Sequence, residues 1–347
     1  MHGLLLLHKP TGMTSNAALS RVKRVLKNKS AGFAGTLDPM ATGVLPIALG
    51  EATKCLPYIE DVDKEYEFTV RWGIKTDTLD TEGKIISENA NRPTEDEIQN
   101  ILKNFTGEIS QIPPAYSAIK INGQRAYDLA RAGQAPEMKS RIITIHNLEL
   151  LPSPAVPDQW SGTAGEEGAV SRSETEKVAE GDNEKKIKNG KCSRPNPHAS
   201  QGTSPLQGEE NHFEYSSFRV TCSKGTYIRS LARDMAYALG TLGHLTALAR
   251  TRAGKFALAD CIALDDLLAM PPEAAAAQVA PIPDMLPDLP RLSPDAAELA
   301  RLRNGQPIFL ENQTPDMHYL ILKDGAAFGI GMMKDQNQLW PRRIFVY

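Results

Sequence analysis

Residues 152–212 divide this chain. Of those 61 positions only 12 are hydrophobic, while Pro, Gly and Ser supply 20. Such a stretch cannot bury enough apolar surface to offset the entropy of ordering it. It reads as a disordered insertion, so whatever folds must be assembled from its two flanks. It also holds 7 basic and 10 acidic residues, so the net charge of -3 over the 347 residues belongs wholly to it. The flanks carry 32 charges of each sign. They are long enough for one large and one small domain: residues 1–280, interrupted at 152–212, and residues 281–347.

Within the flanks charge is segregated, which corrects the first impression that a near-neutral chain avoids nucleic acid. Residues 1–54 carry Lys9, Arg21, Lys23, Arg24, Lys27, Lys29 and Lys54 against only Asp38 and Glu51; residues 219–255 carry seven Lys/Arg against Asp234 alone. Two basic segments beside an acidic remainder suit a phosphate-binding face. Other classes fall away. No apolar run reaches the ~18–20 residues of a membrane span, and Leu4–Leu7 is too short for a signal-peptide core. The four cysteines (Cys55, Cys192, Cys222, Cys261) lie far apart with no CxxC pair, which excludes a disulfide scaffold or zinc cluster and fits a reducing cytoplasm. With no P-loop, HExxH or EF-hand spacing either, the expectation is chemistry without metal or cofactor.

Ser15–Lys27 has helical periodicity, Thr94-x-x-Glu97 is a capping box opening a second helix, and Ile228–Leu239 is a third with Gly240 as its stop. Alternation marks strands at Tyr66–Trp72 and Phe218–Cys222, and Ile142–Leu150 reads as a strand whose partner resumes near Phe213. Strands are expected at 319–322, 328–332 and 344–346, after a short helix. The fold class is α+β: a mixed or antiparallel central sheet with flanking helices, plus a small C-terminal β-rich unit.

Three stretches could carry chemistry. In Gly32-Phe33-Ala34-Gly35-Thr36-Leu37-Asp38-Pro39, glycines permit close backbone approach, and Asp38 is the only acid between Met1 and Leu49, in otherwise basic surroundings, suited to a carboxylate nucleophile or base. A turn-capping Asp before Pro is the plainer reading. Pro113–Lys120, continuing to Arg125 and Tyr127, interleaves aromatic and basic residues, which suits nucleic-acid contact, though a turn and an amphipathic helix would look the same. In Cys222–Leu231, Arg229 falls in the first turn of a helix, against the helix dipole; a carboxylate partner would explain it, and Asp38 is the candidate.

Together these stretches resemble the TruB family of pseudouridine synthases, in its bacterial form acting on uridine 55 of the tRNA T-loop. The resemblance runs through Lys9-Pro10, Gly12–Ser15, Gly35–Leu45, Lys64-Glu65-Tyr66, Thr76-Asp77-Thr78-x-Asp80, Pro113–Lys120, Cys222–Leu231 and Leu248-x-Arg250-Thr251-Arg252, in order. It implies a pseudouridine synthase fold with a PUA-like RNA-binding unit at the C-terminus. Asp38 would be the catalytic carboxylate, acting at C1′ or through a glycal. Tyr66 would stack on the base and remove the C5 proton, and Arg229 would pair with Asp38. Asp80, Tyr227 and Leu248 would line the pocket and Lys9 would support it. The target base would be flipped out of the T-loop. Phe33 stands where the family usually has His and would fill the gap left by the flipped base through apolar contact; Ala249 stands where an Arg is common. The resemblance implies tRNA as partner, no cofactor, no obligate protein partner, a monomer and a cytoplasmic location. The rival readings are a non-catalytic tRNA chaperone, a guide-RNA-directed synthase, and a carboxylate glycosidase, which lacks a second acid.

Overall fold

In the computed structural model, residues 1–152 and 212–347 are described, apart from Ala118, Asn122, Ala135, Asn312, Gln313, Asp335 and Gln336. The expected disordered insertion, with Cys192, lies almost wholly outside the described residues.

The central sheet runs Ile262–Ala263, Gly3–Lys9, Thr42–Leu49, Gly243–Ala253, Lys64–Trp72, Tyr215–Cys222, Arg141–Leu150, Gly107–Gln111, with Phe256–Ala257 and Ala31–Phe33 paired off this path. Gly243–Ala253 pairs parallel to Thr42–Leu49, as does Ile262–Ala263 to Gly3–Lys9; the other ladders are antiparallel. Thr42–Leu49 is buried along its whole length, which explains a continuous apolar run where a half-exposed strand would alternate. Lys64–Trp72 turns Phe68, Val70 and Trp72 into the core. There Phe68 stacks on Phe218 at 5.2 Å, and Trp72 donates its indole N–H to Ser216 Oγ at 2.9 Å. The Ile142–Leu150 reading corresponds to Arg141–Leu150, antiparallel to Tyr215–Cys222 across the insertion.

Helices cover the core face. Ser15–Val25 is N-capped by Thr14, and Glu95–Leu102 carries the Thr94/Glu97 capping box. Ile228–Ala238 buries Ile228, Leu231, Ala232, Met235 and Ala236, and Gly240 follows its end at φ +65. On the other face Leu4, Val44, Ala48 and Ile59 share an apolar cluster with Ile282, Met285, Leu320, Ile330 and Phe345. A five-stranded C-terminal sheet thus packs directly on the back of the central one. Its order is Arg291–Leu292, His318–Lys323, Ala326–Met333, Gln338–Ile344, Ile308–Phe309. The last main strand was expected at 344–346. It ends at Ile344 because the apolar tail docks instead: Phe345 is buried, the Val346 N–H donates to Glu51 Oε2 at 2.8 Å and the Tyr347 hydroxyl to the Ala327 carbonyl at 2.8 Å. No helix among the described residues is long and apolar enough to cross a membrane.

Candidate active site

Asp38 stands on a short loop between the strands Ala31–Phe33 and Thr42–Leu49, and the first fifteen residues hold that loop in place. Ser15 Oγ clamps Leu37 in both directions, donating to its carbonyl at 3.0 Å and accepting from its N–H at 2.9 Å. Gly12 N–H reaches the Pro39 carbonyl at 2.9 Å, and Thr11 Oγ1 the Met40 carbonyl at 2.9 Å. Lys9 is fully buried, its ammonium donating to the carbonyls of Pro10, Met13 and Pro39. Burial lowers it to about 8, while the Asp38 and Glu82 carboxylates resist that fall. Lys9 therefore sits beneath the loop as a strut. Ser15 was no sequence candidate; it looked like an ordinary helix-start residue.

Arg229 brings the remaining segments together. From the start of helix Ile228–Ala238 its Nη2 donates to Asp38 Oδ1 at 3.0 Å and to the Tyr116 carbonyl at 2.9 Å. Its Nη1 donates to the Thr78 carbonyl at 3.0 Å and lies 3.4 Å from Asp80 Oδ2. Nε is 2.9 Å from Asp38 Oδ2, but its N–H makes no well-directed hydrogen bond, so that contact is Coulombic. One guanidinium thus ties the Asp38 loop to the 77–83 and 112–117 segments. Asp80 is only 2% exposed and accepts from Thr78 Oγ1 and the Glu82 N–H; it lies behind Arg229, off the cleft surface. Enclosure pushes the Asp38 carboxyl above its ordinary range, Arg229 pulls it back, and Asp80 adds to the rise. A third of the Asp38 side chain nevertheless stays open.

That open side faces a cleft of about 650 Å³ lined by Asp38, Tyr66, Ser117, Tyr227, Arg229 and Leu248, with Lys64, Arg141 and Lys224 also at its wall. Tyr66 stands where the core opens to the cleft, and burial pushes its phenol up, against the pull of Arg250. Tyr227 is held through its backbone: its N–H donates to Gln111 Oε1 at 2.8 Å and its carbonyl accepts from Gln111 Nε2 at 3.2 Å. Phe33 does not line the cleft. It pairs with Ile47 at the sheet edge and is partly buried against the core.

Two residues the sequence reading passed over shape the site. Gln111 carries no signal of its own. Arg250 does, as a cation directly after the mostly apolar Leu245–Ala249 run. It is 1% exposed, lies opposite Tyr66, and donates to the carbonyls of Val44 and Gly35 at 2.8 and 3.0 Å. Gly35 sits at φ +71, and a Cβ there would come within 2.8 Å of Arg250 Nη1. Because Arg250 is anchored at both ends it cannot retreat. Gly35→Ala is expected to cost about 1–3 kcal/mol of stability and to lower kcat more than it raises KM. Thermal melts with steady-state kinetics check this, and an unchanged melting temperature would show that the loop yields freely.

The comparisons with known proteins agree with one another. A family model described as TruB family pseudouridylate synthase (N terminal domain) matches residues 23–157. Two more, tRNA pseudouridylate synthase B C-terminal domain and Pseudouridine synthase II TruB, C-terminal, match residues 229–285 and 290–345. The chain is 38% identical to the tRNA pseudouridine synthase B of Nitrobacter winogradskyi, over 99% of this chain and 83% of the relative. It is 40% identical to that of Bradyrhizobium diazoefficiens, over 99% and 86%. Among solved structures, one described as "Crystal Structure of a Cbf5-Nop10-Gar1 Complex" superposes with a TM-score of 0.63 at 22% identity, covering 99% of this chain and 85% of that one. At that identity the likeness speaks to the fold alone.

Proposed function

Because the chain belongs to the TruB family of pseudouridylate synthases, we propose that it converts uridine 55 in the T-loop of tRNA to pseudouridine, with Asp38 as the carboxylate that opens the reaction. The observation that carries this reading is an Arg229-held carboxylate at the base of a cleft whose wall includes a tyrosine. The uridine is flipped from its loop into the cleft, an extrusion that costs a few kcal/mol and is repaid by stacking on Tyr66 and by phosphate contacts. Asp38 then acts either at C1′, displacing the uracil, or on the C2′ proton, giving a glycal; both routes start from the ionised carboxylate. The freed uracil rotates and C5 bonds to C1′, breaking the Asp38–C1′ bond in the first route or with Asp38 returning the proton to C2′ in the second, and the C5 proton then leaves.

Tyr66 handles that proton as a relay. Its phenol is pushed up by burial and so is neutral at pH 7. As it receives the C5 proton, the hydroxyl releases its own to solvent in the open cleft. Tyr227 and Leu248 confine the base, while Lys9 and Asp80 hold the loops that present Asp38 and Arg229. The C-terminal sheet is an RNA-binding unit of PUA type, and the protein acts as a monomer in the cytoplasm without an obligate protein partner.

The test is tritium release from tRNA labelled at uracil C5. Release by the protein alone, mapped to position 55, is expected, because C5 loses its proton only after carbon–carbon bond formation there. Binding of tRNA without release would leave a tRNA chaperone as the function.

A further inference from the structure

The wall of the cleft continues one step beyond Tyr66. Residues two apart on a strand point to the same face and lie about 7 Å from each other, and Lys64 lines the cleft together with Tyr66. Lys64 is 8% exposed. Its ammonium is held by backbone: Nζ donates to the carbonyls of Glu60 and Val62, where the helix Leu56–Glu60 ends. An ammonium has three donors, so one remains. Among the described residues no carboxylate forms an ion pair with Lys64 or with the more exposed Arg141, whereas the cleft cations Lys224 and Arg229 are paired, Lys224 with Asp61 at 2.6 Å and Arg229 with Asp38.

A buried cation with no direct ion pair is costly, even with the Glu60 and Asp61 carboxylates of the cleft wall acting on it at longer range, and capping two carbonyls does not require a cation. The cost is recovered when an anion enters the cleft. Under the reading that Tyr66 stacks on the flipped base, the adjoining position on the strand lies toward the backbone of that nucleotide. The geometry points to Lys64 as the ligand of the phosphate attached to the flipped uridine, a charge contact inside the cleft rather than on the basic outer surface.

The experiment compares wild type, Lys64→Met and Lys64→Arg, all full length, measuring tRNA affinity across about 50 to 200 mM salt, with kcat, KM and melting temperature alongside. Lys64→Met is expected to bind roughly tenfold more weakly at low salt, as for a lost hydrogen bond to a charged group. The slope of log Kd against log salt should become shallower by about 0.7–1. Lys64→Arg should keep the wild-type slope. If Lys64 serves only as a helix cap, both variants lose melting temperature and neither changes the slope, which overturns the assignment. Should the Met variant fail to fold, Lys64→Gln, which retains a donor for the carbonyls, is read in the same way. The function itself is judged on wild type alone: if wild type neither binds nor modifies tRNA, that reading fails and this one with it. If wild type does both and the slope of the neutral variant is unchanged, only the Lys64 assignment falls.

Discussion

Asp38→Asn is expected to stay folded, bind tRNA nearly as tightly as wild type, and release no tritium from C5-labelled uridine. The amide occupies the space of the carboxylate, and its oxygen can still accept from Arg229 Nη2, which lies 3.0 Å from Oδ1 in the wild type. Ser15, Gly12 and Lys9 grip the loop through the backbone of Leu37 and Pro39, so the loop keeps its shape. Only the charge disappears, and with it the group that could attack C1′ or take the C2′ proton. The drop in rate should reach at least roughly 10⁴-fold, the order seen when a covalent enzyme loses its nucleophile. Single-turnover tritium release beside tRNA binding checks both halves. Release at more than about one-hundredth of the wild-type rate would remove Asp38 from the chemistry, since such a residue counts for far more than that factor.

The Asp38–Arg229 contact was legible because it rested on a local anomaly. An arginine in the first turn of a helix opposes the dipole, and Asp38, the only acid of the first forty-nine residues, was the obvious partner. Thr94 and Glu97 were legible for a similar reason: a capping box is complete within four residues. The burial of the strut beneath the Asp38 loop was not: the resemblance assigns Lys9 a supporting role, but charge and periodicity alone leave it one more cation of a basic segment. Its burial depends on Gly3–Lys9 lying between Thr42–Leu49 and Ile262–Ala263, a placement fixed by distant chain. Arg250 was missed on the same ground. It passes under Gly35 because Gly243–Ala253 inserts parallel to Thr42–Leu49, with Arg250 beside Gly43. That pairing joins residues some two hundred positions apart, so the local signal, a cation following an apolar run, marks Arg250 as unusual without saying what it holds. The C-terminal strand was misplaced because Gln338–Ile344 contains Pro341 and two arginines and so hides its period, while the more apolar Phe345–Tyr347 docks as a tail.

Arg229→Met should produce the largest loss of stability of any single change at the site. The side chain is 6% exposed and its contacts include Asp38, Asp80 and the carbonyls of Thr78 and Tyr116. Removing one partner of a buried ion pair costs about 3–5 kcal/mol, because the charge left behind is uncompensated. Asp38, one-third open, regains some hydration, whereas Asp80 at 2% exposure cannot. The change also has a pH signature. Enclosure already pushes the Asp38 carboxyl up, and Arg229 is the strongest group opposing that rise, so its loss pushes the carboxyl higher. Activity requires the carboxylate and vanishes as pH falls through its pKa; the acidic limb of kcat/KM must therefore move to higher pH in the variant. Stability shifts in the opposite sense. A carboxyl whose folded pKa is raised contributes stability below its unfolded value and loses it as pH climbs through the folded one. The melting-temperature gap between wild type and variant should thus be widest near neutrality and narrow on acidification. Arg229→Lys should restore part of the limb position, since it supplies the charge, but little of the stability, since one ammonium cannot span both carboxylates and both carbonyls. An acidic limb that stays in place when Arg229 is removed would mean that Asp38 does not depend on it for ionisation, and the partnership would then be structural only.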